Sequence, residues 1–425
     1  MEYKKKNMNS FNLHVIKTDR FKKINVSVIF RNKIKKEEIT ITNFLSSILL
    51  YSTKKFPNKK SLAIRMEDLY AADFYSSCHR IGNFYNVDFN LSMLDDKYSE
   101  DGMLEETLST LSDIIFDPNV TDGKFDSDSF NVIKEREKAQ IERFREDSKK
   151  YSMVRMLESM NPEAPFAYNC FGYMDDLEKI DEKNLYDFYE KFIRNSIVDI
   201  FVVGNVEFSR IEKIVKEKFK FRTFRNNNES PILSLMEAKS KPLTIFESDS
   251  TNQAKLSIGC VIDKLSKFER DYVLSFYNLI LGGTADSKFF KNIREKYSLC
   301  YYINSFGNKV DNLFIITSGI TKDNFSKMLI LINKEMDDMR KGLFDDIDID
   351  NAKNYFLSSI EEIEDKPGQI IGTYYAMDIL KTDDIEKRKE EIQKVTREDI
   401  IKVAKKIHID TIYLLGGDRS DKKGN

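Results

Sequence analysis

At 425 residues, 41% of them hydrophobic and 12% aromatic, the chain is long enough for two domains of about 200 residues each, and it has too many core-forming residues for wholesale disorder. Its 68 basic residues against 70 acidic leave a formal net charge of -2, so no global field draws it to nucleic acid or an anionic membrane. No stretch approaches the roughly 18 uninterrupted apolar residues of a membrane span, and Cys78, Cys170, Cys260 and Cys300 form neither a CxxC pair nor a tight framework, which points to a reducing cytoplasm.

In chain order, the N-terminal MEYKKKNMNSFNLHVIKTDRFKKINV has a basic start but no apolar run of signal-peptide length. The first strongly apolar helix is expected in TNFLSSILLYSTKKFP (42–57). There Phe44, Leu45, Ile48, Leu49 and Leu50 form a wide apolar surface, while Asn43, Ser46 and Ser47 fall at i, i+3 and i+4 and align as a polar notch. FYSSCHRIGNFYNVDFNLSML (74–94) reads as two β-rich runs around a Gly-Asn turn. Cys78 and His79 are adjacent in it, and on a strand consecutive side chains face opposite sides, which separates a would-be nucleophile from its base. Residues 125–160 read as a long helical stretch opened by Asp/Ser caps. Residues 180–207 give a helical stripe of Leu185, Phe188, Tyr189, Phe192 and Ile193, then a buried strand, Ile200–Val203, stopping at Gly204.

The polar stretch RNNNESP (225–231), ended by a proline, is the linker candidate. Beyond it the plan repeats. LCYYINSFGNKVDNLFIITSGI (299–320) matches the two β-rich runs with their Gly-Asn turn, and 346–380 matches the long helical stretch. Residues 395–420 match helix, strand and glycine, with Thr396 as N-cap, a stripe of Ile400, Val403, Ala404 and Ile407, and a strand Ile412–Leu415 before Gly416. Three pairs in one order indicate a duplication. The expected fold is α+β, with two homologous units, 1–222 and 240–425, joined by a linker at 223–239. Each would be a mostly antiparallel sheet with helices on one face, the pair able to clasp like half-shells.

Other sites are weak. The three histidines, His14, His79 and His408, show no HxxxH spacing. LGG (281–283) and GDRS (417–420) make no phosphate loop and read as turn or cap glycines. Asp95–Asp96 and Asp175–Asp176 are ordinary in a chain with 70 acidic residues.

NFLSSILLYSTKKFP resembles the signature helix of the peptidase M16 family (insulinase, pitrilysin, processing peptidase), whose frame is H-F-L-E-H-M followed by a short turn and a Lys/Pro-containing stretch. FVVGNVE resembles the strand and glycine closing each M16 unit. LILGGTADSKFFKNIREKYSLCYYINSF (279–306) resembles the second-unit segment with its L-G-G, S-x-L-F, R-E-K and L-x-Y elements. In active members two His of HxxEH bind zinc, the Glu between them is the general base, and a later Glu is the third ligand. The resemblance puts Asn43 and Ser47 at the His positions, Ser46 at the Glu, and Gln140 at the third ligand, with an offset to Glu142 as the alternative. Amide and hydroxyl oxygens are poor zinc ligands, and Ser46 is no base near neutral pH.

The resemblance therefore implies a non-catalytic member without zinc of its own. It would shape the chamber and bind unfolded peptide for an active, HxxEH-containing partner that supplies the metal. Arg294 and Tyr301 match a second-unit Arg and Tyr that hold peptide and oxyanion in active members. The alternative is that Arg294 pairs with a carboxylate and Tyr301 packs in the sheet. Within the family the chain looks like the inactive member of paired bacterial sets associated with elongation factor P modification. A reading of a different class is a stand-alone homodimeric peptide-binding or scaffold protein.

Overall fold

Residues 1–221, 229–249 and 253–416 are described by a computed structural model, so part of the expected linker and the GDRS segment lie outside the described residues. The chain's contacts define two units. The first comprises Met1–Arg143, Asn169–Glu229 and Ile363–Tyr375; the second comprises Phe144–Tyr168, Ser230–Glu362 and the chain from Ala376 onward. Relative to a division at 222–240, two segments are exchanged.

The physical reasons are local. Residues 144–168 join the second unit because the helix Ser148–Met160 buries Met156, Leu157 and Met160 in that unit's core. Gly259 makes this possible, since a Cβ there would collide with the sulfurs of Met156 and Met160. Residues 363–375 join the first unit, where buried Tyr375 packs edge-on against Phe201 and its hydroxyl accepts from Asn86 Nδ2 at 3.0 Å. Within the stretch expected to be linker, Leu233 is buried in the second core and its N–H donates to the Val310 carbonyl.

The first unit contains strands β1 (Glu2–Asn7), β2 (Asn12–Lys17), β3 (Lys23–Lys33), β4 (Asp73–Ile81) and β5 (Phe84–Leu94), a small hairpin of β6 (Val120–Thr121) and β7 (Lys124–Phe125), and β8 (Ile197–Gly204). Its six-stranded sheet runs β1-β2-β8-β3-β5-β4, antiparallel except for β2 with β8. The Gly-Asn turn closes β4 and β5 as expected, with Ile81 opposite Phe84 and Gly82 at φ 55°. Helices α1 (Ile39–Leu49), α2 (Lys59–Asp68), α3 (Met103–Phe116) and α4 (Ser127–Glu146) contribute apolar residues to its core. The helical stretch expected over 125–160 breaks at Asp147, whose side chain caps the next helix by accepting from the Lys150 N–H. All eight residues of β8 are buried, as expected for a strand covered on both faces.

The second unit contains β9 (Leu243–Glu247), β10 (Ala254–Ile262), β11 (Cys300–Asn308), β12 (Leu313–Ile320) and β13 (Ile407–Leu415), ordered β11-β12-β10-β13-β9, with only β13 and β9 parallel. The expected Gly-Asn turn is displaced here. Gly307 and Asn308 end β11, and the turn falls at 309–312, where Asn308 Oδ1 accepts from the N–H groups of Val310 and Asp311. Gly307 serves close packing, because a Cβ would lie 3.0 Å from Leu274. Gly282 of LGG does likewise, against Ser305 and Phe289. Ile407, expected on the helical stripe, is instead the first residue of β13. No helix among the described residues is long and apolar enough to cross a membrane.

One strand pair carries a pH consequence. Asp88 on β5 has an oxygen 3.5 Å from His79 Nδ1 on β4, and burial pushes its carboxyl up to about 7. The native state thus keeps a proton that the unfolded chain releases near about pH 4. Stability from this group is full at low pH and falls as pH rises from about 4 to about 7. Asp88→Asn is expected to flatten that part of the profile, read as Tm against pH for both proteins. An unchanged slope would contradict it.

Candidate functional site

The notch residues lie on α1, a helix otherwise committed to the core. Phe44, Leu45, Ile48 and Leu49 are each at most 1% exposed, and the Phe44 ring stacks on Phe130 of α4 at 4.9 Å between centroids. Leu50 falls just past the helix end. That anchoring directs Asn43, Ser46 and Ser47 toward β4, β5 and α4, where each finds a partner. Asn43 Nδ2 donates to the Cys170 carbonyl at 2.9 Å, and its Oδ1 accepts from the Tyr85 hydroxyl at 2.7 Å. Ser46 Oγ donates to Ser76 Oγ at 2.8 Å. Ser47 Oγ donates to Glu137 Oε1 at 2.6 Å. What reads in sequence as an unexplained polar stripe is a set of satisfied, mostly buried hydrogen bonds.

A cavity of about 580 Å³ opens beside these residues, walled by α1, α2, β4, α4 and the segment around Cys170. Gln140 borders it, whereas Glu142 is exposed and lies away from it, so of the two sequence offsets only the first reaches the site. Glu137, which the sequence pattern does not single out, is the carboxylate in contact with the notch and is only 3% exposed. A signal is present: Phe130, Ile133 and Glu137 fall at i, i+3 and i+7, which puts a carboxylate on the buried stripe of α4.

Burial raises the Glu137 carboxyl, opposed by the Ser47 hydroxyl and, more weakly, by the Arg136 charge. Burial also pushes the Cys78 thiol up to about 12, which keeps it protonated and unreactive near neutral pH. Cys78 and His79 diverge as strand geometry requires. Cys78 borders the cavity, whereas His79 lies near Asp88. The other histidines are elsewhere: buried His14 has Nδ1 2.8 Å from the Tyr3 hydroxyl and Nε2 3.3 Å from Asp199, and His408 Nε2 is 2.9 Å from Asp263.

Zinc does not fit this donor set. The Asn43 amide is committed at both ends, and Ser46 and Ser47 both donate to other oxygens. One carboxylate, Glu137, therefore remains where a site needs imidazole, thiolate or several carboxylates. Among the described residues, no trio of His, Cys, Asp or Glu ligand atoms converges at this cavity. The hydroxyl at position 46 cannot act as a base near neutral pH.

In the second unit, Tyr301 is 63% exposed on the edge strand β11, so it does not pack in the sheet. Arg294 is exposed with its guanidinium 4.6 Å over the Phe290 ring, and no carboxylate of the described residues is paired with it. The acidic pairs are structural: Asp95 accepts from the Lys97 N–H and Asp96 from the Leu104 N–H, and Asp175 and Asp176 open a short helix.

A family model described as the peptidase M16 inactive domain matches residues 179–356. A Bacillus subtilis protein named probable inactive metalloprotease YmfF is 29% identical over 415 residues, covering 95% of each chain. The crystal structure of a conserved protein from Enterococcus faecalis is similar with a TM-score of 0.91 at 26% identity, covering 98% of this chain and 99% of that one. The peptidase M16 inactive domain from Pseudomonas fluorescens shares the fold, with a TM-score of 0.79 at 17% identity over 98% and 99% of the two chains. Helix α1 keeps the packing of that family's signature helix while the ligands and base are gone, and the chain is similar to inactive, non-catalytic members of the peptidase M16 family.

Proposed function

We propose that this chain is the non-catalytic subunit of a two-chain M16 peptidase of the cytoplasm, binding unfolded peptide and shaping the chamber for a partner that carries HxxEH and the zinc. The observation that carries this reading is the pairing of a motif tied off in hydrogen bonds with a cavity that persists beside it. The chemistry is lost, but the room for a ligand is kept.

Strand β4 ends the order of the first sheet, and its residues Phe74, Tyr75, Ser76, Ser77 and Cys78 run along the cavity. An edge strand offers N–H and C=O groups to which an extended peptide adds as a further strand. The exposed Arg294 and Tyr301 offer a guanidinium and a phenol suited to peptide carbonyls. In this reading the chain holds no zinc.

The test is affinity purification from the native host. Recovery of an HxxEH-containing chain in equal amount is the expected result. Its repeated absence, with the chain recovered only as a homodimer, would sink the two-chain reading in favour of a stand-alone scaffold.

A further inference from the structure

We infer that the cavity beside α1 receives a primary ammonium group of the bound peptide, a lysine side chain or a free amino terminus, with Glu137 as its counter-charge. The inference rests on the peptide-binding reading above and names the chemistry that this part of the site selects.

The starting point is a buried carboxyl with no cationic partner. Glu137 is only 3% exposed, yet its one hydrogen bond among the described residues is the one Oε1 accepts from Ser47. No Lys or Arg of the described residues pairs with it, and Oε2 has no hydrogen-bond partner among them. Arg136 and Lys59, the cationic residues on the cavity wall, are both exposed and form no ion pair with it. A buried carboxylate held by a single hydroxyl is costly, and folding proteins ordinarily relieve that cost with an internal cation. Here the carboxylate instead borders an open cavity, so relief is left to whatever enters.

The walls match such an occupant. Leu50, Leu62, Met66 and Phe74 give an apolar lining along which the methylenes of a lysine can lie while its head reaches the carboxylate. An ammonium carries three donors, and Glu137 Oε2, the Ser47 hydroxyl oxygen and the Gln140 amide oxygen are the acceptors on this side of the cavity. A guanidinium is matched less well, because its rigid fork of five donors outnumbers the acceptor atoms on this side of the cavity. Zinc is excluded by the donor set described above.

The experiment is fluorescence anisotropy on the purified full-length chain with labelled, unstructured short peptides. These are identical except for one central residue, which is lysine, acetyl-lysine or norleucine, each with a free or an acetylated amino terminus. The lysine or free-terminus peptides are expected to bind roughly tenfold tighter than their uncharged counterparts. Which of the two shows the preference identifies the source of the ammonium. In Glu137→Gln, which keeps the shape and the capacity to accept from Ser47, the preference should vanish while the uncharged peptides bind as before; circular dichroism checks the fold. Equal affinities across the wild-type series, or a preference that survives in Glu137→Gln, would overturn this inference and leave peptide binding standing. Failure of every peptide to bind would overturn both.

Discussion

Replacing Phe44 with alanine is expected to cost about 3–5 kcal/mol of folding stability, among the largest losses any single substitution on α1 can produce. The ring is 0% exposed, sits in the core of the first unit and stacks on Phe130. Truncation leaves a cavity that neighbouring elements anchored by Phe130 and Ile133 cannot close. By contrast, Ser47→Ala removes a single hydroxyl bond at a partly exposed position and is expected to cost about 1–3 kcal/mol, the penalty of leaving Glu137 without its donor. Urea denaturation of the two variants checks the order. A Phe44→Ala loss below about 1 kcal/mol would contradict the view that this helix is retained for packing.

The second large effect concerns metal. A variant carrying Asn43→His, Ser46→Glu and Ser47→His is expected to go from no specific zinc binding to about one zinc per chain. Helix α1 still presents positions 43 and 47 on one face, and Glu137 already lies within hydrogen-bond reach of position 47. Adding Glu137→Gln to that variant should weaken zinc binding strongly. If the rebuilt chain folds and yet binds no zinc, then α1 has lost the geometry of the family's site as well as its ligands. Equilibrium dialysis with zinc, alongside circular dichroism, reads the result.

The parts of the fold that are legible in sequence are those decided locally. Asp181 and Thr396 each form a capping box, so the starts of Glu182–Asn195 and Arg397–Lys405 follow from a few residues. Gly82 and Asn83 close the first hairpin because the alternation on both sides agrees with them. The displaced second turn shows the limit. Gly307 and Asn308 look alike in sequence, but the Asn308 side chain caps the residues after it and Gly307 is needed for contact with Leu274. The same limit applies to residues 144–168. Their place in the second unit depends on the missing Cβ of Gly259, far along the chain, which no local pattern reports.

The candidate site is legible in its losses more than in its remaining chemistry. Helical spacing places Asn43, Ser46 and Ser47 on one face, and the structure brings them to one cavity. Their partners Tyr85, Ser76, Glu137 and the Cys170 carbonyl come from four other parts of the chain, so the reason for tolerating polar residues on a core helix is invisible in the helix itself. Glu137 escapes notice because it stands among Lys134, Glu135, Arg136 and Lys138, and a charged residue in such company reads as solvent-facing. Only packing shows that it points inward.

The most direct test is the zinc content of the purified, unmodified chain, measured together with its cleavage of an unfolded peptide. No stoichiometric zinc and no cleavage by the chain alone are the results expected of a non-catalytic chain whose notch residues are tied off in hydrogen bonds. One zinc per chain accompanied by cleavage, both lost in Glu137→Gln, would contradict that reading.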